Sequence, residues 1–258
     1  MTYIESGERM LISVLVPAYN EEELIGRAID SVRDSFASVG WKSFEIIICD
    51  NNSTDGTAKI ASDRGAKVVF EPHNQIARAR NSAAKAAAGE WFIFLDADTL
   101  LNAGVLKAVL DHIGSGKVCG GAARMEFDGD IGKIGRFMCR LWNRLSKTFR
   151  LAAGAFVFCD AEAFRETGGF SESFYVSEEV WFSLKLARWG RKRGREFAVI
   201  WETPVITSAR KMEWYGPWRV LLQFLVFLIP GAINSRLAAR HWYTRSGKSR
   251  QVEKPGRD

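Results

Sequence analysis

An α/β fold with a mostly parallel central sheet flanked by helices is what this sequence predicts, on three observations. Apolar runs alternate with helix-patterned segments over about the first hundred residues, separated by polar or glycine-containing breaks. The runs are continuous rather than alternating, as strands buried on both faces are. Two of them, IIICDNNSTDGT and FIFLDADT, turn abruptly acidic at Asp50 and at Asp96/Asp98. Charge has no place inside such a strand, so these carboxylates belong where the strands leave the sheet. In open α/β sheets that carboxyl edge is where ligands bind.

Taken in order, Leu11–Val16 reads as a buried strand broken by Pro17. EEELIGRAIDSVRDSF places Leu24, Ile25, Ala28, Ile29 and Val32 at helical spacing, with acids crowded into its first turn. FEIIICD is a second strand, ended by the turn-rich NNSTDGT. TAKIASDRG is a short helix, AKVVFE a third strand, and ARARNSAAKAAAGE an alanine-rich helix stopped by Gly89. WFIFLDADT is the fourth strand. In a parallel sheet its acidic end, that of the second strand and the Pro17–Glu21 end of the first converge on one polar crevice.

Composition limits the class. At 258 residues and 47% hydrophobic content the chain can bury a full core and is not a disordered protein. Cys49, Cys119, Cys139 and Cys159 are widely spaced with no CxxC pattern, and Cys49 ends an apolar run, which suits a reduced buried thiol better than a disulfide framework or a zinc site. MTYIESGERM lacks the basic-then-apolar layout of a secretory signal, so a cytoplasmic protein is expected. Residues 234–258 carry seven bases against Glu253 and Asp258, most of the net charge of +6. That basicity says little about the main domain and more about the tail, where anionic lipid, nucleic acid or plain solubility would all fit. There is neither a GxGxxG nor a GxxxxGK[ST] loop. A bound diphosphate would therefore need positive charge from a divalent cation at Asp98, and carboxylate ligands favour Mg²⁺ or Mn²⁺ over zinc.

Five segments, in order, carry a resemblance: VPAYNEE, DNNSTDGT, ARARN, FLDADT and GGFSESFYVSEEVWFSLKLARWG. Together they resemble the inverting family 2 nucleotide-sugar glycosyltransferases of GT-A fold, over roughly the first 190 to 210 residues. The resemblance implies a nucleoside-diphosphate-sugar donor and a hydroxyl acceptor, glycan or lipid-linked, and no nucleic acid. It implies that Pro17, Ala18, Tyr19 and Glu21 line the nucleotide pocket, that Asp50 and Asn52 lie at the base, and that Arg80 helps hold the nucleotide side. Asp96-Ala97-Asp98 corresponds to the DxD motif, with Asp98 the direct metal ligand and Asp96 near the ribose and the metal. Asn51 stands where many members have a second Asp. Glu179 occupies the place of the family's catalytic Asp, with Glu178 the alternate base. His73, His112 and His241 do not match the family's later metal-ligating His; Arg210 or Lys211 is the candidate for stabilising the diphosphate instead.

The expected organisation is a transferase domain over 1–212, with a nucleotide-binding half at about 10–115 and an acceptor half at about 116–212. An apolar helix and basic tail would fill 213–258. VLLQFLVFLIPGAI, Val220–Ile233, is too short to span a bilayer and suits a re-entrant or interfacial helix, with docking on the catalytic domain or a second subunit as the rival, so peripheral membrane contact through 220–258 is expected, at the inner face of the cell membrane. GKIGRFMCRLWNRLSKTFR is a basic amphipathic helix that either packs its apolar stripe on the core or lays it in a lipid interface. The rival functions are a sugar-nucleotide nucleotidyltransferase and a catalytically silent nucleotide-sugar-binding protein.

Overall fold

The computed structural model describes residues 10–152, 154–174 and 177–210. The extension at 213–258, the apolar stretch 220–233 and Lys211 lie outside them. Eight strands form one sheet in the order β3-β2-β1-β4-β7-β6-β8-β5. β1 (Ile12–Ala18), β2 (Phe44–Asp50), β3 (Lys67–Phe70) and β4 (Trp91–Leu95) are parallel to one another. The second half is mixed. β6 (Val118–Phe127) is parallel to β8 (Glu196–Thr207), whereas β7 (Phe156–Asp160) runs antiparallel to β4 and β6, and β5 (Thr99–Leu100) antiparallel to β8.

Helices cover both faces. α1 (Ile25–Ser38) and α4 (Ala103–Gly114) bury Ile25, Ile29, Val32, Val105 and Val109 with Ile12, Val14 and Val16 on one side. On the other, α3 (Ile76–Lys85), α6 (Ala161–Thr167) and α7 (Glu178–Arg191) meet Leu15, Phe92 and Phe94 through Ala77, Ala79, Ala83, Phe164, Phe182 and Leu186. α2 (Thr57–Asp63) and α5 (Gly132–Phe149) complete the set. Among the described residues no helix is long and apolar enough to cross a membrane. Cys49, Cys119, Cys139 and Cys159 are free, and burial pushes the Cys49 thiol up to about 12.

Three local expectations need correction. β1 does not break at Pro17 but continues to Ala18, in register with Asp50. Its pairing with β4 ends at Leu15, so Pro17 has a strand neighbour on one side only, where its missing N–H is tolerated. Glu21, Glu22 and Glu23 are not in the first turn of α1, which contains no acid. They form a separate turn closed by the Leu24 and Ile25 amides on the Glu21 carbonyl, and their carboxylates are used elsewhere. α3 ends at Lys85, before Gly89. Gly89 serves a close approach instead: a Cβ there would lie 2.5 Å from Ser13 Oγ and 2.7 Å from its amide nitrogen.

Candidate active site

The ends of β1, β2 and β4 meet on one edge. The Asn51 amide donates to the Ala18 carbonyl at 2.8 Å, holding the first two exits side by side. Asn20 and Asn52 take left-handed backbone angles there, with φ of 53° and 65°, a conformation Asn tolerates better than most residues. Side chains then lace the two loops. Asn20 Oδ1 accepts from the Thr54 amide at 2.7 Å, Thr57 Oγ1 from the Glu21 amide at 2.7 Å, and Glu22 Oε2 from the Gly56 amide at 2.8 Å. Asn51 is buried. Its Nδ2 donates to the Glu71 and His73 carbonyls and its Oδ1 accepts from the Gln75 amide. An aspartate could not make the first two bonds, which accounts physically for the amide at this position.

Around this frame Pro17 and Ala18 are buried in β1, Tyr19 is half-buried just beyond it, and Asn52 is exposed. Asp50 is buried at the end of β2, where its Oδ1 accepts from the Ser53 amide at 3.1 Å. Asp96-Ala97-Asp98 forms the turn between β4 and β5, closed by the Thr99 amide on the Asp96 carbonyl at 3.0 Å. Ala97 and Asp98 are buried within it. The Ser208 amide donates to the Asp98 carbonyl at 3.0 Å, bringing the end of β8 to the same place. From there Arg210 pairs with Glu21, and at 3.3 Å with Glu23.

Arg80 organises the other side. It is 3% exposed, so it does not offer its guanidinium to a nucleotide directly. Nη2 donates to Asp96 Oδ1 at 2.9 Å and Nη1 to Glu178 Oε1 at 2.6 Å, while Glu179 Oε2 lies 3.9 Å away. The sequence indicated these acids separately, but not that one buried cation joins them. Glu178 is itself buried and held by that contact. The neighbouring Glu179 side chain is 16% exposed; burial and then repulsion by Glu178 push its pKa up to about 8, against the pull of Arg80. Gln75 and Asn81 are further residues not singled out from sequence. Gln75 Nε2 donates to the carbonyls of Glu172 and Phe174, and Asn81 Nδ2 to that of Phe170, so α3 anchors the loop leading into α7. Their only sequence signal is polarity on an otherwise alanine-rich helix face.

Among the described residues no three His, Cys, Asp or Glu side chains converge as a metal cage. The donor set fits a hard cation of another kind. Mg²⁺-type sites use one or two carboxylates and take their remaining ligands from waters and substrate phosphates, and Asp96 and Asp98 share one turn.

A mixed sheet with a four-stranded parallel half and an acidic site at its carboxyl edge is an α/β architecture of the GT-A type. The chain belongs to glycosyl transferase family 2, whose family model matches residues 13–166. It is 27% identical over 186 residues to a GalNAc(5)-diNAcBac-PP-undecaprenol beta-1,3-glucosyltransferase of Campylobacter jejuni, covering 67% of this chain and 59% of that one. Over 92 residues it is 36% identical to the Escherichia coli UDP-Glc:alpha-D-GlcNAc-diphosphoundecaprenol beta-1,3-glucosyltransferase WfaP, covering 34% of this chain and 35% of the relative. The chain thus spans 59% and 35% of the length of these relatives. Among solved structures, a mannosyltransferase of Pyrobaculum calidifontis in complex with GDP-Man and Mn²⁺ shares the fold at a TM-score of 0.67 and 20% identity, over 85% of this chain and 63% of that one.

Proposed function

We propose that this protein transfers a sugar, with inversion, from a nucleoside-diphosphate sugar to an acceptor hydroxyl, and that Glu179 is the base. The observation that carries the reading is the Arg80 bridge from Asp96 to Glu178, which fixes the acidic turn after β4 against the helix bearing Glu179. Residues before about 115 would supply the donor side and those after it the acceptor side.

The chemistry follows from what each group can do. Asp50 and the Tyr19–Glu21 loop, at the carboxyl edge, would line the nucleoside. Asp98 and Asp96 would hold Mg²⁺ or Mn²⁺, which supplies positive charge against the diphosphate. Arg210 would add a second cation on that side, exchanging part of its contact with Glu21 and Glu23 for phosphate oxygens. Glu179 takes the proton of the acceptor hydroxyl as that oxygen bonds to the anomeric carbon, and the carbon–oxygen bond to the diphosphate breaks with its electrons on the nucleoside diphosphate. A single displacement inverts the anomeric centre. A carboxyl with its pKa near 8 is a stronger base than an ordinary carboxylate, and its 16% exposure leaves an opening for the hydroxyl.

The undecaprenol-diphosphate acceptors in the names of the bacterial relatives support a lipid-linked acceptor and a membrane-proximal role, and the UDP-Glc of one name supports a UDP-sugar donor. Incubating the protein with UDP-, GDP- and dTDP-sugars, metal and a polyprenyl-diphosphate-linked sugar tests the reading. Acceptor-dependent release of nucleoside diphosphate with inverted linkage supports it; donor binding without turnover on any acceptor contradicts it.

A further inference from the structure

α5 is oriented unlike a helix that belongs to the core. The positions it buries are Gly135, Asn143 and Ser146. Asn143 is fixed there by exchanging hydrogen bonds with the Met125 amide and carbonyl at 3.1 and 2.9 Å. Four large apolar side chains point away, Phe137 at 64% exposed and Phe149 at 63% with Leu141 and Leu145 exposed between them, while Ile134, Met138 and Trp142 are half-buried. At about 100° per residue the helix has three faces. One lies on β6 and its neighbours, one carries the exposed Phe and Leu side chains, and the last carries Lys133, Arg136, Arg140, Arg144 and Lys147. No Asp or Glu occurs in 132–149.

Charge selects the occupant of this surface. A second copy would set the same five bases against their own duplicates, and the segment 234–258 is itself strongly basic. An anionic lipid leaflet complements both features, taking aromatic and leucine side chains below the headgroups and bases among the phosphates. The placement of α5 agrees. Just before it, Asp128 Oδ1 accepts from the Ala209 amide at 2.8 Å, beside the Ser208 that binds the Asp98 carbonyl. Just after it, the Ala155 carbonyl accepts from the Asp96 amide at 3.1 Å. The connections into and out of the helix therefore both reach the acidic turn.

We propose that α5 is a membrane-docking helix that lays its Phe137–Phe149 face on anionic lipid and thereby turns the mouth of the site toward the leaflet. The proposal does not rest on sugar transfer, because vesicle binding is measured without donor or acceptor. The full chain is titrated with vesicles of phosphatidylcholine alone and of phosphatidylcholine with phosphatidylglycerol. Two variants are compared: Lys133→Gln/Arg140→Gln/Arg144→Gln and Phe137→Ser/Phe149→Ser. All five positions are exposed, so both should fold, with melting temperatures within a degree or two of the parent as checks.

The parent is expected to bind the anionic vesicles selectively. Each base near an anionic surface contributes about a factor of five, so the triple variant should bind roughly 100-fold more weakly, and the Phe variant should also lose affinity. Parent-like binding by both variants overturns the proposal, as does no vesicle binding by the parent. A parent dimer that the Phe variant dissociates would assign the face to a second copy and overturn it too. A large loss of melting temperature in the Phe variant would show the face to be covered by the protein itself, with the same consequence.

Discussion

Arg80 and Glu178, ninety-eight positions apart in sequence, are both buried and meet at 2.6 Å, with Asp96 on the second nitrogen of the same guanidinium at 2.9 Å. One cation thus compensates acids from the turn after β4 and from the start of α7. Arg80→Gln would leave both without their charge partner. Breaking one side of a buried pair typically costs about 3–5 kcal/mol, and a denaturant melt should show a loss of that size. Activity should fall by more than the unfolded fraction explains, because the two halves of the site lose their common anchor.

Glu179 makes the site pH-dependent in a defined direction. The base acts when deprotonated, so kcat/KM should rise with pH and level off above about 8. Stability should run the other way. The folded state keeps a proton that the unfolded chain releases near 4.5, so this contribution is complete below 4.5 and is lost as pH rises through about 8. Glu179→Gln should abolish turnover, leave donor binding in place and flatten the stability profile. Glu179→Asp withdraws the carboxylate by one methylene and should cost up to about 100-fold in rate.

Asn51→Asp tests the suture between the loops. Carboxylate oxygens would face the Glu71 and His73 carbonyls in place of the amide donor. Leaving buried acceptors unsatisfied costs about 1–3 kcal/mol, and thermal melts should show a loss at least that large. Donor KM should rise in parallel, since the same loop carries Asp50 and Asn52.

Gly89→Ala should destabilise without touching the chemistry. The added methyl would sit 2.5 Å from Ser13 Oγ, against the N-terminal end of β1. Overpacking of this kind costs about 1–3 kcal/mol, with kcat on the folded fraction unchanged.

The parallel half of the sheet was legible because strands buried on both faces leave unbroken apolar runs, and charge at Asp50, Asp96 and Asp98 could only lie beyond them. The mixed second half was not, because the antiparallel insertion of β7 between β4 and β6 depends on packing remote in sequence. Helical spacing showed a stripe on α5 but not its direction, which is set by the buried Gly135, Asn143 and Ser146 and by the bonds of Asn143 to Met125 on β6. The acids Glu21–Glu23 resembled a helix start until Gly56 and Arg210 were seen to engage them. The Arg80 bridge was invisible for a related reason, since side-chain pairing at such separation leaves no periodic trace.

The central claim is that the acidic edge of the sheet holds a cation against a nucleoside diphosphate, and Asp98→Ala tests it most directly. Titration calorimetry with a UDP-sugar, in Mn²⁺ and in chelator, should show metal-dependent binding for the parent and loss of that metal dependence in the variant, because a carboxylate ligand of the cation has been removed. Equal Mn²⁺-dependent affinity in the two proteins would contradict the account.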